Sequence, residues 1–222
     1  MIIYNISSYG RINGLVKAVS SVIDQCDIIN VALNSYTTIP PELYDNKIRL
    51  FITNNEFGDA YKFIELEHSN GYFFTIDDDI VYPKNYTQFM VCNIEKYDRK
   101  SIITLHGRKY DKFPIKSFCR DVSEVFHFDA AVDRDIEVEI GGTGVMCFHT
   151  ELLKTSLSYF SIPNMADLWI ARRAREIGAK IVCVKHEGNR LIKQDVGGES
   201  IFKKSRHDDT IQTNLINSIY YK

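Results

Sequence analysis

The chain has 222 residues, 45% of them hydrophobic and 25% charged, and a formal net charge of -2. That balance supplies one sizeable core or two tightly joined lobes, gives no general pull toward nucleic acid or an acidic membrane surface, and contains no apolar run near the ~18 residues of a membrane span. The cysteines, Cys26, Cys92, Cys119, Cys147 and Cys183, are odd in number and form no CxxC pair, so they point to reduced thiols in a cytoplasmic protein rather than to a disulfide framework or a zinc knuckle.

The N-terminal half alternates strand and helix patterns. MIIYNISSYGR lacks a basic region and a cleavage pattern, so IIYNIS reads as a first strand and not as a signal peptide. Leu15, Ala18, Val19, Val22 and Ile23 follow at the spacing of one helix face. IINVAL and IRLFIT are the second and third strands. Ala60, Phe63 and Ile64 predict a short helix ended by Asn70-Gly71. YFFTI is a strand, Tyr86, Phe89, Met90 and Ile94 mark a helix, and SIITLHG is another strand. This density of alternation implies parallel pairing with right-handed crossovers, and runs apolar on both faces imply a sheet covered on both sides.

Residues 107 to 140 are charged, aromatic and weakly periodic, as expected of an irregular excursion carrying short strands. GGTGVMCFHT joins a glycine cluster to a strand-like run. ADLWIARRAREIGAKIVCV is a helix, a stop at Gly178 and a strand. The remaining tail is polar, with Gly197-Gly198 and a basic cluster at Lys203, Lys204 and Arg206.

The stretch GYFFTIDDDIVYP ends an apolar strand in Asp77, Asp78 and Asp79. In an open α/β sheet, ligands bind beyond the carboxyl ends of strands. Three adjacent carboxylates repel one another, and burial makes their charged forms costlier. A wet site or a hard cation relieves this, and Mg²⁺ or Mn²⁺ takes such oxygen ligands together with phosphates. Side-chain alternation places Asp77 and Asp79 on one side and Asp78 on the other. A solvated turn or a helix start uses the same residues; the preceding strand and the following Pro83 weigh against that plainer role.

NGYFFTIDDDIVYP resembles the strand and DxD motif of nucleotide-sugar glycosyltransferases with the GT-A fold, especially the family 2 group. YNISSYGRINGLVKAVSSVIDQ is similar to that family's first strand, nucleotide-binding loop and first helix, and IINVALNSY to its second strand, with Asn34 in place of the usual acidic residue. NNEFGDAYKF is similar to the segment that brings a basic residue, here Lys62, to the diphosphate or base. MADLWIARRAREIGAKI resembles the late acidic motif, with Ala166-Asp167 in place of the commoner Glu-Asp pair. The resemblance spans roughly residues 1 to 190.

It implies a Rossmann-like α/β domain with a mostly parallel sheet and a small additional sheet region. Residues 1–105 would form the nucleotide-sugar half, 106–190 the acceptor half, and 191–222 a tail able to close over the site. It further implies transfer of one sugar from a nucleoside diphosphate sugar, most simply a UDP-sugar, to a glycan or lipid-linked glycan hydroxyl. Mn²⁺ or Mg²⁺ would be held by Asp77, Asp79 and His186. Ser7, Tyr9, Arg11, Asn34, Lys62, Asp77, Asp78, Gly142 and Thr143 would contact the donor. Asp167 would be the general base of an inverting displacement. A carboxylate at a helix start is otherwise commonly a cap, His186 otherwise a structural histidine, and GGTG otherwise a tight turn. His207 is a weaker metal candidate, and His106, His127 and His149 are read as structural. Trp169 is core or a sugar platform; Arg172, Arg173 and Arg175 line a solvent face or meet an anionic acceptor. The expected location is the cytoplasm or the inner face of a membrane. A retaining transferase, a sugar nucleotidyltransferase and a non-catalytic sugar-nucleotide module are the alternatives.

Overall fold

A computed structural model describes residues 1–196 and 208–221. Its centre is an eight-stranded sheet. The strands in chain order are β1 (Ile2–Ser8), β2 (Ile28–Asn34), β3 (Ile48–Thr53), β4 (Tyr72–Ile76), the two-residue β5 (Ile80–Val81), β6 (Ser101–Thr104), β7 (Gly107–Lys109), β8 (Glu124–Phe126), β9 (Ile136–Glu137), β10 (Ile140–Gly141), β11 (Val145–His149), β12 (Lys180–Cys183) and β13 (Ile192–Lys193). The helices are α1 (Ile12–Val22), α2 (Tyr86–Lys96), α3 (Ala166–Ile177) and α4 (Thr210–Tyr220).

The main sheet runs β3-β2-β1-β4-β11-β6-β12-β9. Strands β3, β2, β1 and β4 are mutually parallel, as are β6 and β12. The fold is thus a mixed α/β arrangement of Rossmann-like type with a largely parallel core. The expectation of parallel pairing fails at β11, which lies antiparallel to both β4 and β6. This reversal carries the site. Val145 pairs with Ile76, so the glycine-rich lead into β11 lies at the edge where β4 and β6 leave the sheet. Small sheets β10-β7-β8 and β13-β5 flank the main one, within the excursion expected from 107 to 140 and beside the aspartates.

Alternation along the strands divides the core into two layers. Phe73, Ile102, Met146, Phe148 and Ile181 face one layer with Trp169 and Ile170 of α3 and Ile216 of α4. Their neighbours Phe74, Ile103, Cys147 and Val182 face the other, with Leu15, Ala18 and Val19 of α1 and Met90 and Ile94 of α2. Each fully buried Phe or Leu side chain contributes about 1.5–3 kcal/mol relative to exposure, so both faces of the sheet are anchored by apolar contact. Gly178, with φ +70°, ends α3 in the left-handed conformation, and its N–H bonds to Ala174 O and Arg175 O.

Two local expectations are corrected. Around Ala60–Ile64 the chain forms a 3-10 turn, Gly58–Phe63, rather than an α-helix, and i→i+3 bonds continue through Leu66 and His68. A 3-10 turn eclipses residues three apart, which turns Asp59 and Lys62 toward the same side. The polar tail, to which the sequence pattern assigned no helix, contains α4, with Leu215, Ile216 and Ile219 buried beside α3. Asn217 brackets Ile115, donating to its carbonyl and accepting from its N–H at 2.8 Å each. Gly197-Gly198, Lys203, Lys204, Arg206 and His207 lie outside the described residues. Among the described residues, no helix is long and apolar enough to cross a membrane.

Candidate functional site

Three consecutive aspartates leave β4 and take three different environments. The N–H of Asp77 donates to the Tyr82 hydroxyl at 2.9 Å, and that hydroxyl donates to Gly144 O at 2.6 Å. Burial is the main reason that the Tyr82 phenol is held far from ionisation, so it serves as a neutral clamp between the exit of β4 and the entry to β11. The Asp77 carboxylate pairs with the buried Lys62 ammonium. Glycine at 144 lets that carboxylate take its place, because a Cβ there would overlap it.

Asp78 turns the other way, as alternation predicts, and is buried. It accepts from Ser8 Oγ at 2.6 Å and from the Arg11 guanidinium at 3.2 Å. Because Ser8 spends its hydroxyl proton on Asp78, the 2.8 Å contact between Ser8 and Tyr36 has Tyr36 as the donor. Tyr36 also accepts from the N–H of Arg11 at 3.0 Å. Asp78 therefore ties the loop after β1 to the end of β4. Burial raises its pKa, against the bonds from Ser8 and Arg11.

Asp79 is the uncompensated member. Among the described residues, none donates a hydrogen bond to its carboxylate; its carbonyl accepts from Gln194 N–H at 2.7 Å. Burial, then repulsion from Asp77 and Asp78, push its pKa up to about 6, against the opposing fields of Arg11 and Lys62.

Lys62 is the hub of the remaining carboxylates. It is 4% exposed. Burial opposes its charge, but Asp77, Asp59 and Asp167 together outweigh burial and leave its pKa raised. Asp59, three residues earlier on the 3-10 turn, accepts from the N–H of Ala166, the first residue of α3, at 3.3–3.4 Å. Met165 provides no side-chain cap for α3, so Asp59 caps that helix from across the site. Desolvation, followed by smaller contributions from Asp167 and Asp77, raises Asp59 to about 7 despite Lys62. Asp167, in the first turn of α3, accepts from the N–H of Thr143 at 2.8 Å. Four carboxylates, Asp59, Asp77, Asp79 and Asp167, thus share the field of one buried ammonium.

The comparisons add no name to this geometry. The sequence matches no model of a known protein family and no curated protein.

Besides Asp78, which is tied to Ser8 and Arg11, the expected site residues fall into four groups. Lys62, Asp77, Asp79, Asp167, Gly142 and Thr143 gather at the exits of β4 and β6 and the start of α3. Ser7 and Asn34 are joined beside them in a bonded corner. Asn34 Nδ2 donates to Ser7 Oγ at 2.9 Å and to Gly58 O at 3.2 Å, its Oδ1 accepts from Thr53, and Ser7 Oγ donates to Gly58 O at 3.1 Å. That corner positions the 3-10 turn carrying Asp59 and Lys62. Tyr9 and Arg11 edge the loop after β1, with Tyr9 62% exposed. His186 stands elsewhere in its bonding: Nδ1 lies 2.7 Å from Val184 O, Nε2 lies 3.4 Å from His127 O, and its backbone bridges to Val132.

No three His, Cys, Asp or Glu side chains among the described residues converge into a metal-sized group. Asp77 and Asp79 are nevertheless hard oxygen donors, and Asp79 has no hydrogen-bond donor among the described residues. This pair fits a Mg²⁺ or Mn²⁺ site in which two carboxylates act together with phosphate oxygens.

The sequence reading missed Asp59, Tyr36 and Tyr82, and gave Ser8 and Gly144 no role of their own within the first loop and the GGTG cluster. The i, i+3 spacing of Asp59 and Lys62 is a usable signal once a 3-10 turn is considered; the others depend on contacts far along the chain. Trp169 is core, its Nε1 donating to Ile162 O at 3.1 Å. Arg172 and Arg173 both pair with Glu176, and Arg175 lies over the Tyr220 ring.

Proposed function

We propose that this chain is a metal-dependent glycosyltransferase of the GT-A type that moves one sugar from a nucleoside diphosphate sugar, most simply a UDP-sugar, to a glycan or lipid-linked glycan hydroxyl. The observation that carries the reading is the pairing of two carboxylate roles across Lys62. Asp77 and Asp79 lie at a strand exit, one of them without a hydrogen-bond donor among the described residues, and Asp167 lies at a helix start with one oxygen tied to Thr143. The crevice beyond the exits of β1, β2 and β4 is where open α/β sheets bind nucleotides.

In this reading Tyr9 and Arg11 hold the nucleotide side of the donor. Asp78 acts through Arg11 and Ser8, and Asn34 and Ser7 act through the 3-10 turn. Asp77 and Asp79 would hold Mn²⁺ or Mg²⁺, whose charge would offset that developing on the diphosphate as it leaves. Lys62 fixes the direction of Asp77 and adds a positive field on the same side. Thr143 N–H holds one oxygen of Asp167, leaving the other to take the proton from the acceptor hydroxyl. Attack from that side, opposite the leaving nucleotide, inverts the anomeric centre. Gly142, covered by the His106 ring, and the buried Thr143 would support the donor-sugar side of the site from beneath.

The test is a donor screen with Mn²⁺ or Mg²⁺ that measures release of UDP, GDP and CMP from each donor sugar in turn. Calorimetry of UDP with and without Mn²⁺ accompanies it. Metal-dependent UDP binding and turnover of at least one donor are expected. No nucleotide affinity in either condition would overturn the reading.

A further inference from the structure

The backbone strip Gly142-Thr143-Gly144 touches three side chains in succession. Gly144 abuts the Asp77 carboxylate, Thr143 N–H binds Asp167, and Gly142 lies under the ring of His106. A Cβ at 142 would sit 2.9 Å from His106 Cδ2, tighter than carbon atoms tolerate. Consecutive Cα atoms are about 3.8 Å apart, so the strip sets His106 beside the two carboxylate groups to which the proposed reaction is assigned. The field of Asp77 reaches the His106 ring.

His106 is rigidly placed. It leaves β6 just after Leu105, and its carbonyl accepts from Gly142 N–H at 2.8 Å and from Thr104 Oγ1 at 3.0 Å. Its own N–H donates to Thr104 Oγ1 at 3.2 Å. The ring packs edge-on against His127, with centroids 5.1 Å apart. Burial, with smaller contributions from His127 and Arg108, holds the imidazole neutral, its pKa lowered to about 4.

The ring makes no hydrogen bond with any described residue, and its Nδ1 is buried without a partner. A neutral imidazole carries one N–H and one bare nitrogen. An orphaned buried N–H is rarer than an under-used acceptor, so the bare nitrogen belongs at Nδ1 and the proton at Nε2. The residue itself is only half-buried, so the ring keeps an open edge. A fixed donor that no described residue uses, beside the strip that touches the Asp77 and Asp167 carboxylates, has the properties of a ligand contact.

We infer that His106 is a substrate-contacting residue of this site, donating a hydrogen bond from Nε2 to a hydroxyl or carbonyl oxygen of a sugar bound beside the strip 142–144. The inference rests on the glycosyltransferase reading and deepens it. A neutral donor selects an uncharged oxygen; the phosphates fall to Arg11, Lys62 and the metal. His106 is therefore specific to the sugar, and UDP alone does not engage it.

The experiment is ¹⁵N NMR of the imidazole side chains in the whole chain, assigned with His106→Gln, followed by addition of Mg²⁺ with UDP and then with each UDP-sugar. The expected result is an Nε2–H tautomer at neutral pH, unmoved by UDP and shifted by the sugar nucleotide that binds. In parallel, His106→Gln, whose amide supplies a neutral donor, should retain most of the sugar-dependent gain in affinity over UDP. His106→Leu should lose that gain, about tenfold or more, with UDP affinity within twofold of the parent. A sugar nucleotide that binds more tightly than UDP yet leaves the His106 signals unmoved overturns the inference alone, as does a His106→Leu chain that keeps the full gain. A chain that binds neither UDP nor any sugar nucleotide overturns the parent reading, and this inference with it.

Discussion

Replacing Lys62 with methionine isolates the electrostatic centre of the molecule, because the apolar stem is kept and only the charge is removed. Four carboxylates lose their shared cation: Asp77 by direct pairing, Asp59, Asp79 and Asp167 through the field. Breaking one partner of a buried ion pair typically costs 3–5 kcal/mol. The Asp77 side chain is 37% exposed, and water screens part of what remains, so the lower end applies, about 3 kcal/mol at pH 8. For a chain of this size that is a fall of roughly 6–12 °C in Tm.

The pH dependence carries the reasoning. Asp59 has a folded pKa of about 7, above its ordinary value of 3.8. Between those values the folded chain holds more protons than the unfolded one, so this group's contribution to stability falls as pH rises through that window. Lys62 is the principal field holding Asp59 down against burial. Its removal raises Asp59 further, and the folded variant takes up a proton that the parent does not. The deficit of Lys62→Met should therefore shrink on acidification, from about 3 kcal/mol at pH 8 to roughly half that at pH 5. Urea unfolding at the two pH values measures it. An equal deficit at both would show that packing, not charge, is what Lys62 supplies, and would refute the argument.

Gly144→Ala should cost about 1–3 kcal/mol in urea unfolding, as overpacking does, and should weaken Mn²⁺-dependent UDP binding at least tenfold by displacing the Asp77 carboxylate; an unchanged isotherm would remove Asp77 from the site. Asp79→Ala should abolish the Mn²⁺-dependent part of UDP affinity in calorimetry while leaving Tm near or above the parent value, since it removes a repelled carboxylate. Asp167→Asn keeps an acceptor for Thr143 N–H and should bind UDP normally but lose transfer by about 10²–10⁴-fold; near-normal turnover would leave Asp167 as an anchor for the Thr143 backbone only. Asp78→Ala leaves Ser8 and Arg11 without their acceptor and should lower stability by about 1–3 kcal/mol, with loss of UDP affinity through the displaced loop after β1; a chain as stable as the parent would contradict the latch.

Local periodicity carries a great deal here. The alternation in YFFTI assigns Phe73 and Phe74 to opposite core layers, and helical spacing marks the inward faces of α1, α2 and α3. Gly178 is readable as a stop because only its left-handed conformation closes α3. The placement of Asp77 to Asp79 at a strand exit follows from the apolar run before them, and the opposite turn of Asp78 follows from the pleat. These features are set by neighbours a few residues away, so a one-dimensional pattern contains them.

Other features depend on which distant segments meet. Nothing local in VMCFH distinguishes a parallel from an antiparallel strand, yet its reversal alone brings GGTG to the edge where β4 and β6 emerge. That contact sets Gly144 against the Asp77 carboxylate, ties one oxygen of Asp167, and lays Gly142 under His106, which the sequence marked only as a structural histidine. Asp59 caps a helix that begins more than a hundred residues later, and α4 closes against the loop that contains Ile115. A carboxylate's role is set by the charge and hydrogen-bond donors around it, and those neighbours are chosen by chain packing across the whole molecule. The sequence by itself determined where the acids are; the tertiary structure decided which one is tied to Ser8 and Arg11, which is paired with Lys62, and which has no hydrogen-bond donor among the described residues.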